Sequence, residues 1–421
     1  MQSILRVLAK IGIALLCILA FLFSIIFFFP LTLLPKATAV PMPVWVLLMA
    51  AGLFALSLQF WIKPVGKGIG LSLAGALAVT ALGVAASQMY ATTPPITDAQ
   101  GNPVPGSIAT LEKMTLNGSQ QWVSIRGKDA TNPVLLFLAG GPGGSQMSTE
   151  RLNLPGLEDH FVVVNWDQPG AGKSFDSVDR SKITVERYIE DGHELVLQLR
   201  ERFKQDKIYL VGESWGSVLG VLLVQRYPEL FQAMVGTGQM VAFIENDRIC
   251  YEFALNWARE RGDTAKVEKL LKQGPPPYYD KNLIWEEAAF LLDTYDYMNQ
   301  NPQINDNGSN TWRDLAAPEY GLYDKVSWFR GGIETLGIVY PQLWHVDFRK
   351  QATKLDVPVY FLIGRHDINA PVKLAQEYYD LLDAPHKEIV WFEHSGHNPW
   401  VNEAPEFERV MVEKVLAETR D

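Results

Sequence analysis

The sequence predicts an α/β protein in which a mostly parallel sheet is flanked by helices, interrupted by a helical insertion and preceded by three membrane-spanning helices. Three observations lead there. Three long, uncharged apolar runs fill the first 93 residues. After residue 107, short β-branched segments alternate with segments of helical period. Between about 242 and 345, Trp-, Tyr- and Glu-rich stretches of helical period replace that alternation. Buried strands alternating with helices imply a parallel sheet covered on both faces.

The apolar runs are Ile11–Leu34, Val40–Ile62 and Ile69–Tyr90. A bilayer core about 30 Å thick needs about 20 helical residues, and each run is long enough. Buried helices of a water-soluble core would need amphipathic faces, which these runs lack. Ala37-Thr38-Ala39 resembles a leader cleavage site, but the run before it exceeds the roughly 7–15 apolar residues of a cleaved leader, and two further spans follow. An uncleaved helix is expected. Arg6 and Lys10 precede the first span, Lys63 and Lys67 separate the second from the third, and Lys36 alone lies on the other side. Because Lys and Arg resist translocation, this asymmetry places the N-terminus inside and everything after residue 93 on the extracytoplasmic side.

Charge is divided just as unevenly. Residues 1–93 carry five basic side chains and no acidic ones, so 32 Lys and Arg face 47 Asp and Glu in the rest, a net charge of −15. Such an acidic domain is a poor ligand for nucleic acid phosphates. Cys17 and Cys250 are the only cysteines, one in an apolar run and one far from it, so no disulfide is expected. Residues 94–106, rich in Pro, Gly, Thr and Asn, read as a linker.

From 107 onward the elements follow in order. Ile108–Thr115 and Gln121–Arg126 flank Asn117-Gly118, a hairpin signal. Val134–Leu138 and Phe161–Asn165 suit buried strands, and Val185–Phe203 repeats at helical period. Strand Lys207–Val211 precedes helix Ser217–Tyr227, and Ala233–Val241 is a further strand. Strands Val357–Ile363 and Lys387–Phe392 bracket a helix around Lys373–Leu382. The sheet domain is thus expected over 107–241 and 346–421, with 242–345 as a helical cap over the strand ends.

Gly212-Glu213-Ser214-Trp215-Gly216 is a G-x-S-x-G with a strand running in and a helix running out. Glycines permit a sharp turn there, leaving Ser214 exposed at a helix N-terminus as a nucleophile. A serine hydroxyl needs a base. His397 lies in the loop after strand Lys387–Phe392, where parallel sheets gather reactive groups. His394 competes, but Gly396 lets the later histidine project. Asp367, past the end of strand Val357–Ile363, is the carboxylate to orient it, although it could instead cap the helix after Pro371. Ala139-Gly140-Gly141-Pro142-Gly143-Gly144 follows a strand, and Gly141 N–H with Trp215 N–H is the expected oxyanion pair. His366, Asp367, His394 and His397 lack metal-ligand spacing, so no metal site is expected.

Together with Asn165-Trp166-Asp167-Gln168-Pro169-Gly170-Ala171-Gly172-Lys173-Ser174 and Ser395-Gly396-His397, these motifs resemble the proline iminopeptidase branch of the α/β-hydrolase superfamily over about 107–415. The resemblance implies the α/β-hydrolase fold, cleavage of a small N-terminal residue from short peptides through an acyl-enzyme, and no cofactor. Two positions depart from the family pattern, with Ala139 replacing a histidine and Pro169 an arginine. The family's cap supplies glutamates for the substrate amine. Glu286 beside Trp285 resembles one, and Glu287, Glu245 or Glu319 could be the second, although a cap glutamate is more often a solvated helix face.

The expected activity is therefore that of a membrane-anchored serine aminopeptidase, its partners a short peptide and the lipid bilayer. An esterase of small or lipidic esters is the alternative, and a non-catalytic binding ectodomain is disfavoured by the complete Ser-Asp-His set.

Overall fold

The computed structural model describes residues 2–280, 282–305 and 310–420; positions 281 and 306–309 of the expected cap lie outside the described residues. The chain forms two compact units, Met1–Thr93 with Trp312–Val326, and Pro94–Thr311 with Ser327–Asp421.

In the first unit, α1 (Gln2–Ala37) contains the first expected run. α2 (Met42–Trp61) starts two residues after the start of the second and stops one before its end, and α3 (Val65–Met89) starts four residues before the third and stops one before its end. All three are long and apolar enough to cross a membrane. Their polarity is inverted relative to a water-soluble bundle. Leu47 is 70 % and Phe54 68 % exposed, whereas Ser24, Ser72, Thr80 and Ser87 are buried. Buried Gly52, Ala55, Ala76 and Gly83 let the helices approach closely. Hydroxyls bond neighbouring backbone, as Ser72 Oγ does with Leu56 O at 3.4 Å and Thr80 Oγ1 with Phe27 O. Small residues and interhelical hydrogen bonds replace the hydrophobic effect where the surroundings are themselves apolar.

The second unit is built on an eight-stranded sheet: β1 (Ile108–Leu116), β2 (Ser119–Gly127), β3 (Val134–Leu138), β4 (Val162–Trp166), β5 (Ile208–Glu213), β6 (Phe231–Thr237), β7 (Val359–Gly364) and β8 (Lys387–Phe392). Their spatial order is β1-β2-β4-β3-β5-β6-β7-β8. The β1–β2 hairpin turns at Asn117-Gly118, β2 pairs antiparallel with β4, and the remaining pairs are parallel. Both faces of the centre are covered, so its strands are continuously apolar. Val134, Leu136, Leu138, Ile208 and Leu210 pack with helices Val185–Phe203 and Trp215–Arg226. Leu135, Phe137, Tyr209 and Val211 pack with Leu157, Phe407 and Met411.

Strand order reverses at β3, with β4 on one side and β5 on the other. Open parallel sheets bind ligands at such a switch point, outside the carboxyl ends of the strands. Register makes this concrete: Leu138 pairs with Gly212, so the glycine-rich loop after β3 and the serine after β5 emerge side by side. Among the strands, the largest departure from expectation is in β6. β6 stops at Thr237 rather than running to Val241, because Gly238 takes φ +52° and turns the chain away. The insertion follows, with helices Phe243–Glu260, Thr264–Gln273 and Leu283–Gln300 in the second unit; its Trp312–Val326 stretch belongs to the first.

Candidate active site

Ser214 sits between β5 and helix Trp215–Arg226 with φ 53° and ψ −118°, a strained conformation for a side chain with a Cβ. Its amide is held by Thr237 O at 3.0 Å. The turn closes only because Gly216 is bare: a Cβ there would lie 2.1 Å from Leu138 O. The strained serine is half-buried, the only member of the G-x-S-x-G that is not fully covered.

His397 is brought to this turn from the far edge of the sheet. A carbon added at Gly238, next to Thr237, would lie 2.8 Å from His397 Cε1. His397 Nδ1 is 2.9 Å from Asp367 Oδ2, and Asp367 Oδ1 accepts from Ala370 N at 2.9 Å. His397 Nε2 is 3.2 Å from Asn369 Nδ2. An amide NH₂ can only donate, so Nε2 accepts and the ring proton sits on Nδ1 facing Asp367. That tautomer leaves a lone pair on Nε2. His394, its competitor, is exposed, with Nδ1 3.2 Å from Gln303 O. Glu403 pins the loop between them, accepting from His394 N at 2.9 Å and Ser395 Oγ at 2.6 Å.

No hydrogen bond joins Ser214 Oγ to His397 among the described residues; Nε2 has a second neighbour instead, Glu213 Oε1 at 3.5 Å. Glu213 is buried, accepts from Gln146 Nε2 at 2.8 Å, and takes the Gly140 amide. Burial raises its pKa against the opposing pull of His397 and Gln146. Burial lowers that of His397, but the charge and hydrogen bond of Asp367, with the charge of Glu213, outweigh it and leave the imidazole raised. A base must be neutral to act, so a raised imidazole moves the acid limb of the rate profile to higher pH. Glu213→Gln removes one of the charges favouring the imidazolium. The acid limb of kcat/KM should then move to lower pH, and an unmoved limb would show that Glu213 does not act on the histidine.

With Gly140 N–H committed to Glu213, the Gly141 and Trp215 N–H groups donate to no other described residue. Gln168 ties their two loops together, its Nε2 3.4 Å from Ala139 O and its Oε1 2.9 Å from Trp215 Nε1.

The insertion contributes two buried carboxylates. Glu287 on helix Leu283–Gln300 is 1 % exposed, and neither oxygen has a hydrogen-bond partner among the described residues. Asp247 on helix Phe243–Glu260 accepts from Tyr340 Oη at 3.0 Å and Asn246 Nδ2 at 3.2 Å. Burial raises both pKa values, and Asp247 further raises that of Glu287. Asn246 Nδ2 also reaches Asn369 O at 3.0 Å, which links the acid pair to His397. The two residues expected from the sequence are placed differently, with Trp285 66 % exposed and Glu286 half-buried on the same helix. Glu245 pairs with Arg349, and Glu319 belongs to the other unit. Reading the sequence missed Glu213, Asn369 and Asp247; the only signal for Glu213 was its place beside the serine.

Among the described residues one group could hold a metal by geometry, His386, Glu388 and Glu418. Lys414 already bridges both glutamates, at 2.9 and 3.5 Å.

Comparison with known proteins agrees with this architecture. Residues 133–404 match the family described as alpha/beta hydrolase fold. The chain is 29 % identical over 302 residues to the probable aminopeptidase YbaC of Bacillus subtilis, covering 70 % of this chain and 93 % of that protein. It is 23 % identical to a proline iminopeptidase of Lactobacillus helveticus, covering 72 % of this chain and 96 % of that one. The crystal structure of a proline iminopeptidase from Mycobacterium smegmatis superimposes with a TM-score of 0.53 at 17 % identity, covering 74 % and 98 %.

Proposed function

The chain belongs to the alpha/beta hydrolase fold family, and from that premise we propose that this hydrolase is a membrane-anchored serine aminopeptidase acting on short peptides. Aminopeptidase and proline iminopeptidase relatives spanning nearly their whole length support a peptide substrate. One observation carries the specificity: Glu287 and Asp247 are buried carboxylates without an ion-pair partner among the described residues, linked by Asn246 and Asn369 to His397. Burying carboxylates unpaired is costly, and a substrate ammonium is the partner that would relieve the cost. Glu286 and Trp285, more exposed on the same helix, are proposed as lesser contacts.

In this reading His397 Nε2 takes the proton from Ser214 Oγ as the oxygen attacks the carbonyl of the first residue. The oxyanion that forms is met by Gly141 and Trp215 N–H. Asp367 holds the ring and stabilises the imidazolium, which then protonates the departing amine. Water, deprotonated by the same nitrogen, releases the first residue from the acyl-enzyme. To begin, Nε2 must exchange Glu213 and Asn369 for Ser214 Oγ, a tightening that substrate commonly brings about. The arrangement of basic residues around α1–α3 supports an extracytoplasmic hydrolase unit.

The test is a rate panel of prolyl and alanyl arylamides, the same compounds N-blocked, and aryl esters of short and long chain. Free-amine arylamides should be cleaved and N-blocked ones should not. Cleavage of blocked substrates and esters alone would replace the aminopeptidase reading with that of an esterase.

A further inference from the structure

The stretch Trp312–Val326 lies within the sequence of the cap, yet it is part of the compact unit of the three apolar helices. Four hydrogen bonds attach it at and just beyond the C-terminal end of α3. Leu322 N–H donates to Ser87 Oγ at 2.9 Å, and Gln88 Nε2 to Asp324 Oδ1 at 2.7 Å. Thr92 N–H donates to Pro318 O at 3.1 Å, and Thr93 Oγ1 to Glu319 Oε1 at 3.1 Å. Leu322 also packs in one apolar cluster with Leu31, Leu34 and Val40.

The polarity of this stretch is inverted. Its carboxylates Asp314, Glu319 and Asp324 are at most 9 % exposed, while Trp312 is 79 %, Val326 56 % and Tyr323 43 % exposed. Lys325 Nζ is directed onto the carbonyls of Ala317 and Tyr320. Against water the reverse arrangement is the rule, with carboxylates outside and large apolar groups covered.

Depth identifies what covers this face. Ser87 and Gln88 fall in the last three residues of α3, a helix of 25 residues. At about 1.5 Å per residue such a helix just outreaches a hydrocarbon core of about 30 Å, so its end lies where acyl chains give way to headgroups. Trp and Tyr favour that level because the ring is apolar while the N–H or O–H reaches polar groups. We propose that Trp312, Tyr323 and Val326 lie in the interfacial zone of the lipid bilayer, a membrane contact that does not span. The proposal rests on α1–α3 being embedded in that bilayer.

The experiment uses the full chain with Cys17→Ser and Cys250→Ser, reconstituted in phosphatidylcholine vesicles. Single cysteines carrying an environment-sensitive fluorophore are placed by Val326→Cys and Trp312→Cys, with Phe54→Cys in α2 and Leu197→Cys in the hydrolase unit as references. Lipids brominated high or deep on the acyl chains serve as quenchers, and iodide reports on water. The labels at 326 and 312 should lose fluorescence to shallow bromine more than to deep, the label at 54 to deep bromine, and the label at 197 to iodide alone. Quenching at 54 with iodide-sensitive, bromine-insensitive labels at 326 and 312 would overturn the proposal while leaving the spans intact. Labels at 326 and 312 shielded from both quenchers, with energy transfer between chains, would overturn it in favour of a second copy. Loss of bromine quenching at 54 as well would remove the spans themselves.

Discussion

Ser214→Ala should reduce turnover by about 10⁴-fold or more, the scale on which deletion of a nucleophile in a Ser-His-Asp set acts. The same variant should fail to react with a fluorophosphonate probe, read by intact mass. Its far-UV circular dichroism should be unchanged, since alanine takes no more space at a half-buried position. His397→Ala should lose as much, because the imidazole and hydroxyl act as a unit. His394→Ala should lose far less, as that ring is exposed and bonded to Gln303. Undiminished probe labelling of Ser214→Ala would remove the serine from the mechanism, and a reversal of the two histidine effects would remove His397.

Glu287→Gln should weaken hydrolysis of free-amine arylamides by roughly 2–4 kcal/mol in transition-state binding, the scale for removing one partner of a buried charge pair. That corresponds to a fall in kcat/KM of about 30- to 900-fold. Ester hydrolysis at the same serine should hardly change, since an ester carries no ammonium. The neighbouring Glu286→Gln, on a half-buried side chain, should cost less on both. Because burial raises the pKa of Glu287, the free site retains a proton that an arriving ammonium displaces. Binding of a free-amine inhibitor should therefore release protons, seen as calorimetric heats that vary with buffer ionisation enthalpy. Equal losses on amide and ester would make Glu287 a structural residue.

How far the sequence could be read depended on whether chemistry or packing decided a residue's place. The strand–turn–helix at Ser214 and the loops that carry Asp367 and His397 were legible because each is a local pattern at a strand end. Glu286 and Glu287 differ by one residue and therefore by about 100° around the helix axis. Trp285 marks Glu286 in the sequence, whereas packing shows that Glu287 is the more deeply buried of the two. Asn369 and Asp247 act through contacts made across the fold, with no motif of their own. β6 was overextended because Met240-Val241 continues an apolar run past the turn at Gly238. The membership of Trp312–Val326 was hidden for a related reason: a helix with one apolar face looks the same in sequence whether that face meets protein or lipid.

The attachment of Trp312–Val326 to α1–α3 bears on how the hydrolase would behave without those helices. A chain beginning at Pro94 retains this stretch but loses Ser87, Gln88 and Thr93, and with them the acceptors and donors for Leu322, Asp324 and Glu319. It also loses Leu31, Leu34 and Val40, which cover Leu322. A chain cut before Pro94 should therefore not behave as a clean water-soluble enzyme. It uncovers carboxylates and a leucine that the full-length protein shelters, beside a tryptophan, a tyrosine and a valine already turned outward, so the shortened chain should self-associate unless detergent takes over the role of the missing helices.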